Sequence, residues 1–181
     1  MSAGRGIAIA AGLLLSLGTS LAAQTERPVS IELRALAMTP TFSIADAANT
    51  GPGFGAGFGY RVSPKVRLMA DLDAGFHPTP VTGFDINTYH LMGKVGLDVV
   101  RTDKVTVTLN TGAGLVRFGG DLPAAKSYFA INAGAKIGIR LADAVELLIS
   151  PQGDIAFSKE ADVGTSNAWV WPLGAGLRFR F

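Results

Sequence analysis

The chain ends in the stretch WVWPLGAGLRFRF, which occupies residues 169–181. Large apolar side chains alternate with small or charged ones along it. One parity holds Trp169, Trp171, Leu173, Ala175, Leu177, Phe179 and Phe181, and the other includes Pro172, Gly174, Gly176, Arg178 and Arg180. Because successive side chains of a β-strand point to opposite faces of the sheet, the pattern predicts a strand with one apolar face. Chain ends are usually polar and loosely held, so this strand is unusual for a water-soluble domain.

The first residues of the chain predict a secretory signal peptide over residues 1–23. Arg5 supplies positive charge, residues 7–17 are apolar or small, and Leu21-Ala22-Ala23 gives a small-residue cleavage context before Gln24. The alternative is a membrane helix, but the apolar run is shorter than the roughly 20 residues that such a helix needs. We therefore expect one mature domain over residues 24–181.

The composition argues against several classes of function. The chain has no cysteine, which excludes disulfides and thiolate chemistry. Of its 16 basic residues, Arg5 lies in the predicted signal peptide, so 15 basic and 14 acidic residues give the mature chain a formal charge of +1. Nucleic acid is not an expected partner of a chain with so little excess charge. We also expect no cofactor.

Period-two alternation recurs along the rest of the chain and predicts eight strands. They cover residues 29–37, 54–62, 66–77, 86–99, 105–118, 128–141, 145–157 and 169–181. Short turns at 63–65, 101–104 and 142–144 alternate with longer loops at 38–53, 78–85, 119–127 and 158–168. An even strand number with short turns at one end and long loops at the other is typical of transmembrane barrels. The predicted fold is all-β, an eight-stranded antiparallel up-and-down transmembrane β-barrel.

Alternation alone does not separate this barrel from a soluble, lipocalin-like one with an apolar interior. Glycines crowd the polar parity: Gly55, Gly57, Gly59, Gly75, Gly96, Gly112, Gly114, Gly134, Gly138, Gly174 and Gly176. Glycine weakens a strand, but small residues suit the interior of an eight-stranded barrel, where side chains only just fit. Large aromatics lie near the strand ends on the apolar parity, as at membrane interfaces. We therefore assign the apolar parity to lipid.

The segment from Gly174 to Phe181 resembles the ending of small eight-stranded bacterial outer-membrane proteins of the OmpA, OmpX and OmpW type. The resemblance implies residence in the bacterial outer membrane after signal-peptide cleavage, with outer-membrane lipid and lipopolysaccharide as surroundings. It also implies that the barrel-assembly machinery recognises the last strand through Leu177, Phe179 and Phe181. We expect a monomer. The resemblance implies architecture and location, and no particular activity.

Charged residues on the inward parity are the most informative polar set. The acids are Glu32, Asp71, Asp73, Asp98, Glu146 and Asp154, and the bases are Arg34, Arg61, Arg67, Lys94, Lys136, Arg140, Arg178 and Arg180. They form either a selective aqueous path or a plug whose charges neutralise one another, and the cost of an unpaired buried charge favours the plug.

Turn geometry predicts which charges face one another. The turn 142–144 sets Arg140 opposite Glu146, and a hairpin centred on residues 83–84 sets Asp73 opposite Lys94. We expect both to be ion pairs in the lumen. The turn 63–65 sets Arg61 opposite Arg67, so each must find an acid elsewhere, Glu32 or Asp71 being candidates.

The two histidines, His77 and His90, both have inward parity, and the same hairpin would place them opposite each other. They are candidates for a metal site or a pH-dependent contact, but two histidines without an obvious third ligand predict no metal site. Barrels that modify lipid A need a histidine on or near the lipid face with a serine and an acid in reach. No catalytic residue is therefore predicted. We expect a non-enzymatic barrel contributing to envelope structure or surface contacts, with a narrow solute channel as the alternative and a lipid A-modifying enzyme third.

Overall fold

The computed structural model describes residues 27–181, so the predicted signal peptide (1–23) lies outside the described residues. The strands are β1 (Val29–Thr41), β2 (Gly51–Arg61), β3 (Val66–Pro78), β4 (Asp85–Arg101), β5 (Val105–Gly120), β6 (Lys126–Ala142), β7 (Val145–Ala156) and β8 (Ala168–Arg180). The long connections contain a 3-10 helix (Phe42–Asp46) and one short α-helix, α1 (Glu160–Val163). Within residues 27–181, no helix has the length and apolarity to cross a membrane.

Each strand pairs antiparallel with the next, and β8 pairs back onto β1 to close the barrel. The predicted eight-stranded up-and-down barrel is therefore confirmed. The main differences in strand bounds lie at the loop end, where β1 runs on to Thr41 and β2 begins at Gly51. The extension of β1 follows from its pairing with β8, since Thr41 lies opposite Trp169. We call the opposite end, where the connections are short, the turn end.

The two faces of the wall differ as the parity predicts. Apolar side chains on the outside are about half exposed, for example Leu33 (56%), Leu91 (55%) and Leu109 (51%). The inward charged residues predicted from parity are all buried except Arg140, which is exposed. An apolar exterior around a charged interior is the arrangement of a barrel whose solvent is lipid.

The loop end of the lumen is apolar, which the parity analysis did not predict. A buried cluster there comprises Ile44, Ala48, Ile86, Met92, Val116, Phe118, Tyr128, Ala130, Ala156 and Ala168. Most of these residues come from the strands, but Ile44 is brought in by the 3-10 helix and Ala48 by the segment after it. The first long loop therefore folds inward over the barrel. The interior thus changes from charged to apolar along its axis.

Proline interrupts the wall in β7. Pro151 has no N–H to donate, and the β6–β7 ladder lacks a pair for Ala135. Phe157 N donates to Phe129 O, so the Phe129 carbonyl points toward β7. Every second carbonyl along a strand points toward the same neighbouring strand. The Ala135 carbonyl, six residues along β6, therefore points toward β7 as well. The side chain of Gln152 satisfies that carbonyl, with Nε2 2.7 Å from Ala135 O. A side chain thus replaces the missing backbone donor.

Candidate functional site: the charged lumen

Lys136 lies at the centre of the charged network. This residue of β6 is fully buried, and its Nζ lies 2.6 Å from Glu32 Oε2 on β1 and 2.9 Å from Asp71 Oδ1 on β3. Each of those strands is three positions from β6 around the barrel, so the ammonium group bridges the lumen rather than the wall. Ion pairs of this kind are strong only when every partner is satisfied.

Arg34 and Lys94 complete the centre of the network. Arg34 Nη1 donates to Glu32 Oε2 (2.7 Å), and its Nη2 donates to Asp73 Oδ1 (2.7 Å). Lys94 Nζ lies 2.8 Å from Asp71 Oδ2 and donates to Gln152 Oε1 at 3.2 Å. The network thereby joins β1, β3, β4, β6 and β7 through side chains that are almost completely buried.

The predicted Arg140–Glu146 ion pair is wrong, although its register is right. Arg140 and Glu146 are direct cross-strand partners. Glu146 also lies opposite Arg178 on β8, however, and accepts from Arg178 Nη1 and Arg180 Nη1, each at 2.9 Å. Arg140 remains exposed at the turn end. Glu146 has a neighbour on each side, and its carboxylate binds the buried Arg178 on β8 rather than the exposed Arg140 on β6.

The predicted Asp73–Lys94 pair is also wrong, because the hairpin register differs from the prediction. Asp73 lies opposite His90, and Lys94 lies opposite Met69. Pro78 pairs with Asp85, which centres the connection two residues earlier than the predicted midpoint and moves every partner on β4 by four positions. The two charges are used separately, Asp73 by Arg34 and Lys94 by Asp71.

Arg61 and Arg67 face each other across β2 and β3, as predicted. Their acid is Asp98 of β4, rather than the predicted Glu32 or Asp71. Arg67 Nε lies 2.9 Å from Asp98 Oδ1, whereas Arg61 Nη2 lies 3.6 Å from Asp98 Oδ2. One carboxylate therefore serves two arginines unequally.

The two histidines lie apart in the register and have different partners. His77 lies opposite Ile86, and its ring nitrogens contact Asn49 O and Thr88 Oγ1, both at 3.1 Å. His90 Nδ1 lies 2.6 Å from Asp154 Oδ2 on β7. Both rings are inward and almost fully buried. Among residues 27–181, no group of three or more acidic, histidine or cysteine side chains has the geometry to hold a metal ion.

Family comparison accounts for this combination of a lipid-facing exterior and a filled interior. Residues 7–181 match the family model described as outer membrane protein beta-barrel domain. The chain belongs to this family. This outer-membrane barrel is thus a protein of the bacterial outer membrane, and in such barrels the short turns face the periplasm. Among curated proteins, none matches the chain significantly.

Solved structures support the same fold for this outer-membrane barrel. Neisserial surface protein A superposes with a TM-score of 0.69 at 17% identity, covering 85% of this chain and 97% of that one. OprG from Pseudomonas aeruginosa gives 0.62 at 11% identity, covering 84% and 95%. The N-terminal β-barrel domain of Pseudomonas aeruginosa OprF gives 0.51 at 18% identity, covering 84% and 97%. Similarity at these identities establishes the fold.

The extracellular end of the outer-membrane barrel carries a mostly apolar cavity of about 410 Å³. Its walls come from the 3-10 helix, the β3–β4 and β5–β6 loops, the apolar end of the lumen and α1. The lining includes Ile44, Val81, Phe84, Phe118, Leu122 and Val163. Asp162 lies at the same cavity and accepts from Tyr128 Oη at 2.7 Å. Burial and tertiary contact between separate loops create this cavity, and no local sequence pattern signals it.

The terminal strand is held on both sides. β8 pairs with β1 over twelve positions and with β7 as well. Phe181 N donates to Val29 O at 2.9 Å, while the Phe181 side chain is 62% exposed on the outer face. Leu177 and Phe179 share that face. The three residues predicted as an assembly signal therefore present one apolar stripe to the membrane.

Proposed function

We propose that this protein is a non-enzymatic structural barrel of the outer membrane whose lumen is closed by its own charges and whose loop end makes surface contacts. The observation that carries the proposal is the bridge made by Lys136 across the lumen to Glu32 and Asp71. Opening the lumen would move the Lys136 ammonium group away from these carboxylates and leave buried charges uncompensated. Breaking one such buried pair costs about 3–5 kcal/mol. A narrow solute channel is the alternative function.

Planar-bilayer recording tests the closed lumen. The wild type is expected to show no stepwise conductance. Joint replacement of Lys136 and Asp71 by alanine removes a charge pair and part of the plug, so conductance steps are expected to appear. Ile137→Ala, next in sequence but on the lipid side, is the control. Steps in the wild type whose ion selectivity changes in the double variant would establish the channel instead.

The surface-contact role rests on the extracellular cavity, which suits an acyl or similar apolar chain. Laurate is the test ligand, and calorimetry on the detergent-solubilised protein measures its binding. Val163→Trp is expected to fill the cavity and remove binding. Ala124→Trp, in an exposed loop that does not line the cavity, is expected to retain it. Equal laurate binding by both variants would reject this role for the cavity.

Assembly through the terminal strand is part of the same proposal. Deletion of Phe181 is expected to lower the yield of heat-modifiable, folded barrel in the outer membrane, because the assembly machinery would lose the aromatic end of the apolar stripe. Phe42→Ala removes an exposed aromatic from the 3-10 helix and serves as the control. Unchanged yield without Phe181 would show that this residue is not recognised. We propose that the assembled barrel is a monomer.

Lipid A modification is tested separately. Both histidines lie inside the barrel and away from the lipid face, which supports the non-enzymatic proposal. Mass spectrometry of lipid A from cells with and without the protein is expected to give identical species. A new or missing acyl chain that depends on the protein would overturn the non-enzymatic role.

A further inference from the structure

Arginines outnumber carboxylates at the turn end of the lumen. Arg61, Arg67, Arg178 and Arg180 are all buried there. The nearest acids are Asp98, shared by Arg61 and Arg67, and Glu146, shared by the other two. Arg178 also reaches Glu32, but that carboxylate already serves Arg34 and Lys136. This end of the lumen therefore holds excess positive charge.

Among the buried arginines of the turn end, the shortfall of hydrogen-bond acceptors is greatest at Arg61, which has two unpartnered nitrogens where Arg178 has one, Nη2. Both oxygens of Asp98 accept from Arg67, at 2.9 to 3.1 Å, and Thr108 Oγ1 donates to the same carboxylate at 2.7 Å. Arg61 is only 4% exposed, yet its Nε and Nη1 find no hydrogen-bond partner among residues 27–181. A buried polar group without a partner requires an explanation, such as a bound ion. These donors lie in the lumen at the last residue of β2.

A polar cavity of about 530 Å³ lies at the same end. It is lined by Arg27, Arg140, Asp143 and Arg180. Arg180 also belongs to the buried group, and only the pairing of Arg180 with Ser30 and of Ser30 with Gly59 separates it from β2. Two strand spacings amount to about 10 Å, which two arginine side chains can span around one tetrahedral anion.

We propose that the turn end of this barrel binds a phosphate group, held by Arg61 and Arg180 and admitted through the cavity that Arg27 and Arg140 line. Guanidinium groups bind phosphate with paired, charge-assisted hydrogen bonds, and a bound anion would supply the acceptors that Arg61 lacks. The turn end faces the periplasm, at the level of the inner-leaflet headgroups. The phosphate therefore comes either from free phosphate or from a phospholipid headgroup.

The first test uses inorganic phosphate and the full barrel in dodecylmaltoside, a detergent without phosphate. Phosphate is expected to raise the unfolding temperature above the value in chloride of equal ionic strength. Arg61→Met is expected to weaken phosphate binding about tenfold or more, as loss of a charged hydrogen bond implies. Arg140→Gln removes positive charge from the entrance and is expected to weaken binding less. Arg61→Met also removes an unsatisfied buried charge, so its folding is preserved. Arg101→Gln changes an exposed arginine at the same end and should respond like the wild type.

The second test distinguishes the sources. Phosphatidylglycerol added to the micelles is compared with uncharged diacylglycerol. Stabilisation by phosphatidylglycerol alone assigns the site to a lipid headgroup, whereas stabilisation by inorganic phosphate as well assigns it to phosphate in general. Equal responses from the wild type and Arg61→Met, or no response beyond ionic strength, would overturn the proposal.

Discussion

Glycine leaves the space that the charged side chains of the lumen occupy. A Cβ atom added at Gly57 would lie 2.6 Å from Asp71 Oδ1 and 2.9 Å from Glu32 Oε2. At Gly138 it would lie 2.6 Å from Glu146 Oε2. Real Cβ atoms do not approach so closely, so the carboxylates would have to move away from their cations. These glycines leave room for the charged side chains, as expected for a barrel interior that side chains only just fill.

Gly57→Ala is therefore expected to destabilise the barrel by about 1–3 kcal/mol, the usual cost of overpacking. Gly93→Ala is the matched control, because a Cβ there meets only Ala113 O at 3.8 Å. Denaturant unfolding in detergent measures both. A loss of stability at Gly93 as large as that at Gly57 would mean that strand formation, rather than crowding of the network, sets the cost.

At the scale of elements, β7 depends on a side chain to replace a backbone donor. Gln152 donates to Ala135 O beside Pro151 and accepts from Lys94. The same strand continues on both sides of the proline in one register. The repair by Gln152 explains how a proline is accommodated in the wall of a closed barrel, where every strand has two neighbours.

Gln152→Leu is expected to destabilise the barrel by about 1–3 kcal/mol, because it leaves a carbonyl in the wall unsatisfied. Pro151→Ala restores an N–H at that position, so the double variant is expected to recover part of the loss. A double-mutant cycle of unfolding free energies measures the coupling. Additive effects of the two changes would show that the glutamine does not substitute for the proline.

Helix α1 is joined to the barrel by a contact that depends on pH. The hydrogen bond from Tyr128 Oη lowers the pKa of Asp162, and Lys126, 3.7 Å away, lowers it further. A carboxyl group whose pKa is lower in the folded state stabilises that state above the ordinary pKa, about 3.9. It loses this contribution as the pH falls through the folded-state value. The contact between α1 and the barrel is therefore strongest at neutral pH and weakens in acid.

Tyr128→Phe is expected to raise the pKa of Asp162 toward the ordinary value, and α1 should then detach at a higher pH. Carbon-13 titration of the Asp162 carboxyl group measures this change. Lys126→Gln should also raise the pKa of Asp162, because it removes the charge and the hydrogen bond by which Lys126 lowers that pKa. An unchanged pKa of Asp162 in Tyr128→Phe would contradict the role of this hydrogen bond.

The stability of the whole molecule depends on the difference between the lipid outside the barrel and the charged interior. The outside is apolar because it meets lipid, and the inside holds charges because they can pair there. Six acids and seven arginines or lysines are buried in the barrel, so most of the charge is compensated internally. A substitution should therefore be judged first by the side of the wall on which it falls.

Leu109→Arg is expected to cost about 2–4 kcal/mol if the side chain lies near the bilayer midplane. Val99→Arg, also outward but near the turn end of β4, should cost only about 0–1 kcal/mol, because its charge can reach the interface. Reversible unfolding into denaturant from lipid vesicles measures the two. Equal costs at both positions would contradict the depth assignment.

The sequence by itself determined the strands, the closed barrel and the assignment of faces, because a period of two is a local property and each strand has only two faces. It also determined the register of the tight hairpins, where Arg140 meets Glu146 and Arg61 meets Arg67. Short turns leave little freedom in how the strands pair, so the number of residues in the turn fixes the register.

Only the tertiary structure decided which charges are partners. The β3–β4 loop is long enough to shift its midpoint, and that shift placed Asp73 opposite His90. Lys136 reaches Glu32 and Asp71 across the lumen, a contact that depends on the stagger of all eight strands at closure. The apolar loop end and the unsatisfied Arg61 likewise arise from packing between distant segments, which no local periodicity encodes.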